Sequence, residues 1–429
     1  MKKVIALLLA LMMVAGMLAG CTSNDPGSDT QNPGSSNTQP GTPGGTSEPP
    51  AGGNAENTEK MIVGVVVMAS GDAMTTAQNY LTDVVGPALN MEFIFSEVIN
   101  DAGAMTTFIE NAKASGAQGI INMLANLVEQ AASTCEDLGM WEVDNASASY
   151  ESVESLPHHI GLVGLSPEGN GKVFGEAIQS ALDSGEKANV LVLSGAACYG
   201  ATSQIEATVS MLTTLQNLYG LTYTEDLKTL ATVNSTTDVE TGTDMKVTIH
   251  PGVPMGADYA SAVSSLLQTG DYNVVCSAFD AYGAISVAID EVEKALGMNI
   301  KVITQMSIGD NALASMRALD STGDACVNAG VSGELTPPLV YCALMLRNAF
   351  DGHADAMRTD GKATVLLQDA LLIDSAETLE KLMQVPPSYM SEDDIASLWI
   401  AKNPDCTIRD FRTLMDTMTT ENILAKFAG

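Results

Sequence analysis

Short apolar segments alternate with amphipathic ones along residues 61–373. Residues 62–68 are a compact, β-branched run typical of a buried strand, and residues 103–115 carry apolar side chains at helical spacing. The alternation starts again after residue 172, with a strand predicted at 190–193 and then a long helix. Short strands that alternate with helices favour parallel sheets covered on both faces. The pattern therefore predicts an α/β fold with two doubly wound parallel-sheet lobes.

The lobe boundaries follow from where the pattern changes. We assign residues 61–165 and 331–373 to the first lobe, and residues 166–330 to the second. After residue 373 the pattern becomes helical and includes an acid-rich helix start at Ser391. Residues 374–429 are therefore predicted to form a C-terminal helical extension.

Two segments of this pattern are less regular than the rest. Residues 227–233 are apolar enough to predict a strand, and the polar residues 235–254 that follow predict an irregular insertion. Residues 364–373 are predicted to form one continuous strand of the first lobe.

The amino-terminal segment predicts where the protein resides. A basic start, Met1-Lys2-Lys3, precedes the apolar residues 4–17, which are too few for a comfortable membrane span. The segment ends in Leu18-Ala19-Gly20-Cys21, which resembles a bacterial lipobox. We predict a lipoprotein signal peptide at 1–20, a lipid on Cys21 and a Gly/Pro/Ser/Thr-rich disordered tether at 21–60. The protein is thus expected on the extracytoplasmic face of the cell membrane, held there by its lipid anchor.

Composition argues against several function classes. The formal charge is −33, and none of the five arginines precedes Arg317, so a nucleic-acid partner is not expected. The four histidines lack zinc-site spacing, and no nucleophile elbow or phosphate loop is present. We therefore predict no catalytic residue, no metal and no cofactor. The six cysteines after Cys21 have apolar neighbours, which favours buried free thiols. Disulfide bonds between them are the alternative, and the sequence does not decide which cysteines would pair.

Candidate binding residues follow the predicted strands, because ligands meet parallel sheets at the carboxyl ends of the strands. These residues are amides, hydroxyls, carboxylates and a few aromatics, which suit a sugar or another neutral polar solute. The alternative at each position is a solvated helix cap. The candidates are Ser70, Asp72, Asn122, Asp144, Asn145, Tyr199, Asn234, Phe279, Asp280 and Gln305.

Five short segments carry a resemblance to a known family: Ile62-Val63-Gly64-Val65, Ile120-Ile121-Asn122, Val143-Asp144, Val275-Cys276-Ser277-Ala278-Phe279-Asp280 and Tyr282-Gly283-Ala284-Ile285. They resemble the type I periplasmic binding protein family, in particular its ribose-like sugar-binding branch. The resemblance covers residues 61–373 and implies two hinged lobes that hold a small solute between them. It also implies that Asn122 and Asp144 face the ligand from the first lobe, and Phe279 or Asp280 from the second.

The sequence departs from this family at three places. Many sugar binders have an arginine where Asn145 stands, and an aromatic pair where Ala73 and Met74 stand. The Gly-Phe-Asp of the last second-lobe strand is replaced by residues 304–307. Without an arginine in the early loops, bidentate clamping of a carboxylate or phosphate is not expected.

The resemblance implies the solute-binding component of an ABC-type uptake system, with a membrane permease as its partner. The alternative is a ligand-sensing receptor component that signals to a membrane kinase or a chemoreceptor. An adjacent gene for a permease or for a kinase would discriminate between the two. A surface-anchored enzyme is the third class, and the missing catalytic motifs argue against it.

Replacing Cys21 with Ala should release the protein from the membrane fraction, because the acceptor thiol for the lipid is lost. Fractionation of cells that produce the parent and the variant measures this. A variant that stays as membrane-bound as the parent would place the anchor elsewhere.

Overall fold

Thirteen strands form two separate sheets in this computed structural model, which describes residues 59–146, 150–182, 187–252 and 258–428. Most strands are short apolar runs with buried side chains on both faces, as parallel sheets require. The strands are β1 (Met61–Val67), β2 (Met91–Val98), β3 (Gly119–Asn122), β4 (Trp141–Asn145), β5 (His159–Leu165), β6 (Val190–Gly195), β7 (Thr237–Asp238), β8 (Val247–Pro251), β9 (Val274–Ser277), β10 (Lys301–Gln305), β11 (Ala329–Ser332), β12 (Thr364–Gln368) and β13 (Leu371–Ile373).

Helices connect the strands and then form the end of the chain. Within the described residues, none of them is both long enough and apolar enough to cross a bilayer. The helices are α1 (Asp72–Tyr80), α2 (Gly86–Leu89), α3 (Ala102–Ala114), α4 (Val128–Leu138), α5 (Pro167–Ala181), α6 (Thr202–Tyr219), α7 (Leu227–Ala231), α8 (Tyr259–Leu267), α9 (Tyr282–Leu296), α10 (Asp310–Arg317), α11 (Thr336–Asn348), α12 (Ala376–Leu382), α13 (Glu392–Ser397), α14 (Ile408–Asp416) and α15 (Thr420–Phe427).

Each sheet is the centre of one α/β lobe. The first sheet has the strand order β12-β5-β4-β3-β1-β2, and all of its pairings are parallel. The second has the order β13-β11-β10-β9-β6-β8-β7, with antiparallel pairing only at its two edges. The predicted α/β class with two doubly wound lobes is confirmed.

The chain passes between the sheets at three places that lie side by side. It crosses after β5, after β11 and again between β12 and β13. The Ser166 amide donates to the Gln368 carbonyl at 2.7 Å, which joins the first crossing to the third. At the second crossing, a Cβ on Gly333 would lie only 2.4 Å from Leu165 Cδ1. These close contacts make the three crossings one connected hinge region.

The sheet pairing corrects the predicted lobe boundary. Residues 331–373 were assigned to the first lobe, but β11 and β13 both belong to the second sheet. The predicted single strand at 364–373 is broken at Asp369 and Ala370, after which β13 pairs antiparallel with β11. Strand composition alone cannot show this change of sheet, because both halves are apolar enough to form a buried strand.

A second correction concerns the predicted insertion. The segment predicted as a strand at 227–233 is the short helix α7, whose first turn is capped by the Asp226 side chain. The actual strand β8 lies inside the predicted insertion and is central enough to pair with β6. Apolar and polar residues alternate in β8, as in Val247-Thr248-Ile249-His250. Fully buried strands are usually continuous apolar runs, so this sequence does not predict one.

The C-terminal extension packs against a helix that is buried along its whole length. All 13 residues of α11 are buried. One side of α11 packs on β3, β4 and β5, while the Tyr341 ring meets Phe411 of the extension at 6.0 Å. The Asn348 side chain donates to the Leu398 carbonyl at 2.8 Å and accepts from the Ile400 amide at 2.9 Å. The predicted helical extension is therefore an integral cover of the first lobe.

The extension also reaches the second lobe. Its Glu380 forms an exposed ion pair with Arg317 at 2.6 Å, and Thr420 donates to the Leu372 carbonyl at 2.7 Å. One continuous cluster of buried apolar side chains includes residues from both sheets and from the extension. The end of the chain thus contacts both lobes beside the hinge region.

A buried ion pair lies at the carboxyl end of α11. Arg347 is fully buried and contacts Asp351 through two nitrogen–oxygen pairs at 2.7 and 3.1 Å. It also donates to the carbonyls of Glu59 and Asn90, next to the starts of β1 and β2. The Trp399 indole donates to Asp351 at 2.8 Å. One carboxylate therefore links α11, the first sheet and the extension.

Replacing Asp351 with Ala should lower the free energy of unfolding by about 3–5 kcal/mol, because the buried Arg347 would lose its countercharge. Chemical denaturation of parent and variant measures the change. The control is Glu380→Ala at the exposed pair, where we expect about 0–1 kcal/mol. Equal losses in the two variants would contradict the buried pair's structural role.

Candidate functional site

The carboxyl ends of the first-sheet strands carry two kinds of candidate residue. Ser70 is exposed in the turn after β1, and Asp72 is exposed at the first position of α1. Asn122 and Asp144 pair in register at the ends of β3 and β4, and both are fully buried. The Asn122 amide donates to Asp144 Oδ1 at 2.7 Å and accepts from the Leu124 amide at 3.0 Å. These two side chains are therefore turned inward and engaged with protein groups.

Asn145 lies next to this pair but keeps a little exposed surface. It is 8% exposed, and its side-chain amide donates to the Val163 carbonyl at 3.1 Å. Of the three first-lobe candidates on β3 and β4, Asn145 is the one whose side chain retains access to solvent.

Two further buried groups surround Asp144. Glu142 lies two residues earlier on the same strand and therefore on the same face of the sheet. His159 Nε2 lies 3.1 Å from Asp144 Oδ2 and 3.4 Å from Glu142 Oε2, and all three side chains are 0% exposed. Burial, together with the neighbouring Asp144 carboxylate, raises the pKa of Glu142 well above its ordinary value. Sequence reasoning did not select Glu142, although the alternation Glu142-Val143-Asp144 carried the signal.

The second lobe presents an aromatic surface at its carboxyl edge. Phe279 follows β9 and lies over Gly195, where a Cβ would come within 2.7 Å of the Phe279 ring. The Tyr259 ring is 6.3 Å from the Phe279 ring and 5.2 Å from His250. The hydroxyls of Ser277 and Thr304 both donate to the Phe279 carbonyl at 2.7 Å, which fixes the loop.

This surface contains hydroxyl groups without partners. The Ser194 hydroxyl and the Tyr259 hydroxyl are buried, and neither has a hydrogen-bond partner in the described part of the chain. His250 Nδ1 lies 2.8 Å from the Thr236 hydroxyl, and burial lowers the pKa of His250 below its ordinary value. The imidazole is therefore neutral at neutral pH. A polar ligand could supply the missing partners for these groups.

His250 and Tyr259 escaped sequence reasoning because β8 was not recognised there. A histidine at the end of an alternating apolar segment, followed by an aromatic residue at a helix start, was the available signal.

The remaining second-lobe candidates are distributed around this aromatic surface. Tyr199 is 75% exposed in the turn after β6, and Asp280 is exposed directly after Phe279. Partial desolvation raises the pKa of Asp280, while a hydrogen bond from the Tyr282 amide opposes that shift. Gln305 is half-buried at the end of the neighbouring strand β10. Phe279, Asp280 and Gln305 thus lie on adjacent strand ends.

Two predicted residues stand apart from this group. Asn234 is exposed and precedes β7, which pairs with the carboxyl end of β8 rather than following a strand of its own. Cys21 lies outside the described residues.

A groove of about 760 Å³ lies between α5 and α6, beside the hinge region. Glycines form much of one wall, and the hydroxyls near them already donate to backbone carbonyls: Ser210 to Pro167 at 2.7 Å and Thr214 to Gly171 at 2.6 Å. These bonds join the two helices closely. The groove therefore lies within the packing of two helices, and its lining also includes Glu168, Gln179, Asn217 and Asp369.

The six described cysteines are free thiols. Cys135, Cys276, Cys342 and Cys406 are buried, whereas Cys198 and Cys326 are partly exposed. The expectation of buried thiols holds for the first four.

No protein-family model matches the sequence, and no curated protein matches it. Solved structures do resemble the fold. A periplasmic ribose ABC transporter protein of Conexibacter woesei has a TM-score of 0.51 at 17% identity, covering 76% of this chain and 95% of that one.

Two further solute-binding proteins of ABC transporters match over a similar length. The protein of Bacillus halodurans with bound myo-inositol has a TM-score of 0.50 at 13% identity, covering 76% of this chain and 98% of that one. The protein of Actinobacillus succinogenes with bound D-allose has a TM-score of 0.50 at 14% identity, covering 75% and 99%. The two lobes of this chain therefore have the periplasmic-binding-protein-like I fold.

Proposed function

We propose that this protein is a solute-binding protein that holds a small, neutral, sugar-like solute in a cleft between its two lobes. The observation that carries the proposal is the polar and aromatic surface at the second lobe's strand ends, with its unpartnered Ser194 and Tyr259 hydroxyls. Buried hydroxyls without partners are rare in folded proteins and are costly unless something satisfies them. A polyhydroxyl ligand is of the matching chemistry.

In the proposed site, an aromatic ring covers one face of the solute and polar groups form hydrogen bonds with it. The Phe279 ring would cover the apolar face of a sugar ring, as aromatic side chains do in such sites. Neutral His250, Tyr259 and Ser194 can donate or accept hydrogen bonds, and Asp280 would accept from hydroxyls. The similar ribose transporter protein, and the similar proteins with bound myo-inositol and D-allose, also support a polyhydroxyl ligand.

The first lobe would close over this surface by bending at the hinge region. Its exposed Ser70 and Asp72, together with Asn145, are the proposed contacts on that side. Asn122 and Asp144 are not part of the proposed contact set, because their side chains are fully buried and bonded to protein groups.

The proposal includes the cellular context. A lipid on Cys21 would hold the protein at the extracytoplasmic face of the membrane, and the loaded protein would deliver its solute to an ABC-type permease. The sensing alternative uses the same cleft but passes the signal to a membrane kinase or chemoreceptor. Uptake of labelled solute by cells that lack this protein separates the two: uptake fails in the first case and persists in the second.

A thermal-shift screen tests the ligand class. Neutral sugars or polyols should raise the melting temperature, since ligand at about 100 times its dissociation constant adds about 2.7 kcal/mol to the folded state. Dicarboxylates and sugar phosphates should give no shift, because the early loops contain no arginine to clamp them. Stabilisation by those anions, with no response to any neutral compound, would refute the proposal.

Replacing Asp280 with Asn should weaken binding of a ligand found in that screen by about one to two orders of magnitude, the worth of one charge-assisted hydrogen bond. Titration calorimetry measures the affinity. The matched control is Asp271→Asn at the other end of β9, where Asp271 pairs with Lys246 at 2.6 Å. If Asp280→Asn lowers only the melting temperature and leaves affinity intact, Asp280 merely caps the following helix.

A further inference from the structure

The buried groups around Asp144 form a cluster of metal-ligating side chains that the proposed solute site does not use. Glu142 and Asp144 project from β4, and His159 projects from β5, where it pairs in register with Glu142. One ligand atom from each side chain can be chosen so that all three lie within 4.8 Å of one another. All three side chains are 0% exposed.

The facing atoms of this cluster have only one another as near neighbours. Both carboxylate oxygens of Glu142, Asp144 Oδ2 and His159 Nε2 are buried with no hydrogen-bond partner outside the cluster among the described residues, and His159 Nε2 lies 3.1 Å from Asp144 Oδ2 and 3.4 Å from Glu142 Oε2. In the same part of the chain, no lysine or arginine forms an ion pair with either carboxylate. Two carboxylates buried without a cation carry a large desolvation cost. The cluster therefore needs positive charge, from a metal ion or from protons.

The outer contacts orient two of the three groups toward each other. His159 Nδ1 lies 3.2 Å from the Val153 carbonyl. A carbonyl only accepts, so Nδ1 donates to it, and Nε2 faces the two carboxylates, where it can hold a proton or a metal ion. Asn122 donates to the other oxygen of Asp144 at 2.7 Å, leaving Oδ2 turned inward. A backbone carbonyl on the distal histidine nitrogen and an amide on the carboxylate are the usual supports of metal ligands.

The spacing of the ligand atoms also suits a metal ion. Bonds of about 2.0–2.2 Å to oxygen and nitrogen place neighbouring ligand atoms roughly 2.8–3.6 Å apart in octahedral or tetrahedral sites. The two distances from His159 Nε2, 3.1 and 3.4 Å, lie within that interval. Neutral imidazole with two carboxylates has a charge of −2, which one divalent cation balances.

We propose that Glu142, Asp144 and His159 bind a divalent metal ion in the core of the first lobe. Two oxygen ligands and one imidazole nitrogen suit Zn²⁺ or Mn²⁺ better than Ca²⁺, which prefers oxygen alone, or Cu⁺, which prefers sulfur. The ion would be structural: it ties β4 to β5 where Glu142 and His159 pair in register. Because the ligands are fully buried, the ion enters as the chain folds and leaves only when it opens.

The competing state is a cluster held together by protons. In that state two protons on the cluster take the place of the divalent cation, so the cluster again has no net charge. The two states respond differently to Glu142→Gln. Glutamine resembles the neutral acid in shape, so the variant should leave a protonated cluster as stable as before, but it removes a metal ligand.

The test uses full-length protein purified after growth with added Zn²⁺ and Mn²⁺. Elemental analysis should find about one metal ion per chain, and refolding in a chelator should lower the melting temperature by several degrees. Glu142→Gln should retain roughly a tenth or less of that metal. The control is Glu136→Gln, because Glu136 pairs with His158 at 3.1 Å in a partly exposed position, and this variant should keep the metal.

The proposal would be overturned if the parent protein contains no metal and its melting temperature does not change in a chelator. It would also be overturned if Glu142→Gln protein retains the metal. The elemental analysis of the parent does not depend on whether any variant folds. It also requires no solute, so the metal proposal and the solute-binding proposal can fail separately.

Discussion

Burial of α11 on all sides is the constraint on which the arrangement of this chain depends. A helix without an exposed face must be covered in every direction, and the first sheet covers only one side. The rest is covered by α1, by the segment at 349–357 and by the extension, which contacts α11 through Phe411 and the segment at Leu398. Because the extension begins directly after β13 in the second sheet, covering α11 also brings the chain end across the hinge region. The proposed closure of the lobes has to accommodate that contact.

The two lobes use their strand ends differently. At the first sheet, the buried side chains of Asn122 and Asp144 form a hydrogen bond with each other and do not reach the surface. At the second sheet, Phe279 and Tyr259 leave an aromatic surface with an unpartnered hydroxyl. The specificity of the proposed cleft therefore depends mainly on the second lobe, with the first lobe contributing exposed turns.

The first lobe contains two sets of buried charged groups that differ in their hydrogen-bond and ion-pair partners. Arg347 and Asp351 form a bidentate pair, and carbonyls and an indole complete their hydrogen bonds. Among the described residues, no lysine or arginine pairs with Glu142, whose nearest charged or polar neighbours are Asp144 and His159. Both sets are buried, so the difference lies in their partners, and the proposed metal ion would supply the positive charge that Arg347 supplies to Asp351.

The sequence by itself determined the α/β class, the two successive lobes and the helical extension. These follow from local patterns, because apolar periodicity and helix caps act over a few residues. The same patterns selected Phe279 and Asp280, which directly follow a clear apolar strand. What only the tertiary structure decided were pairings between distant segments. These include β13 joining the second sheet, β8 lying inside an apparent insertion, and Glu142 meeting His159 across two strands. Sheet membership and side-chain burial depend on which segments pack together, and no local pattern of residues records that choice.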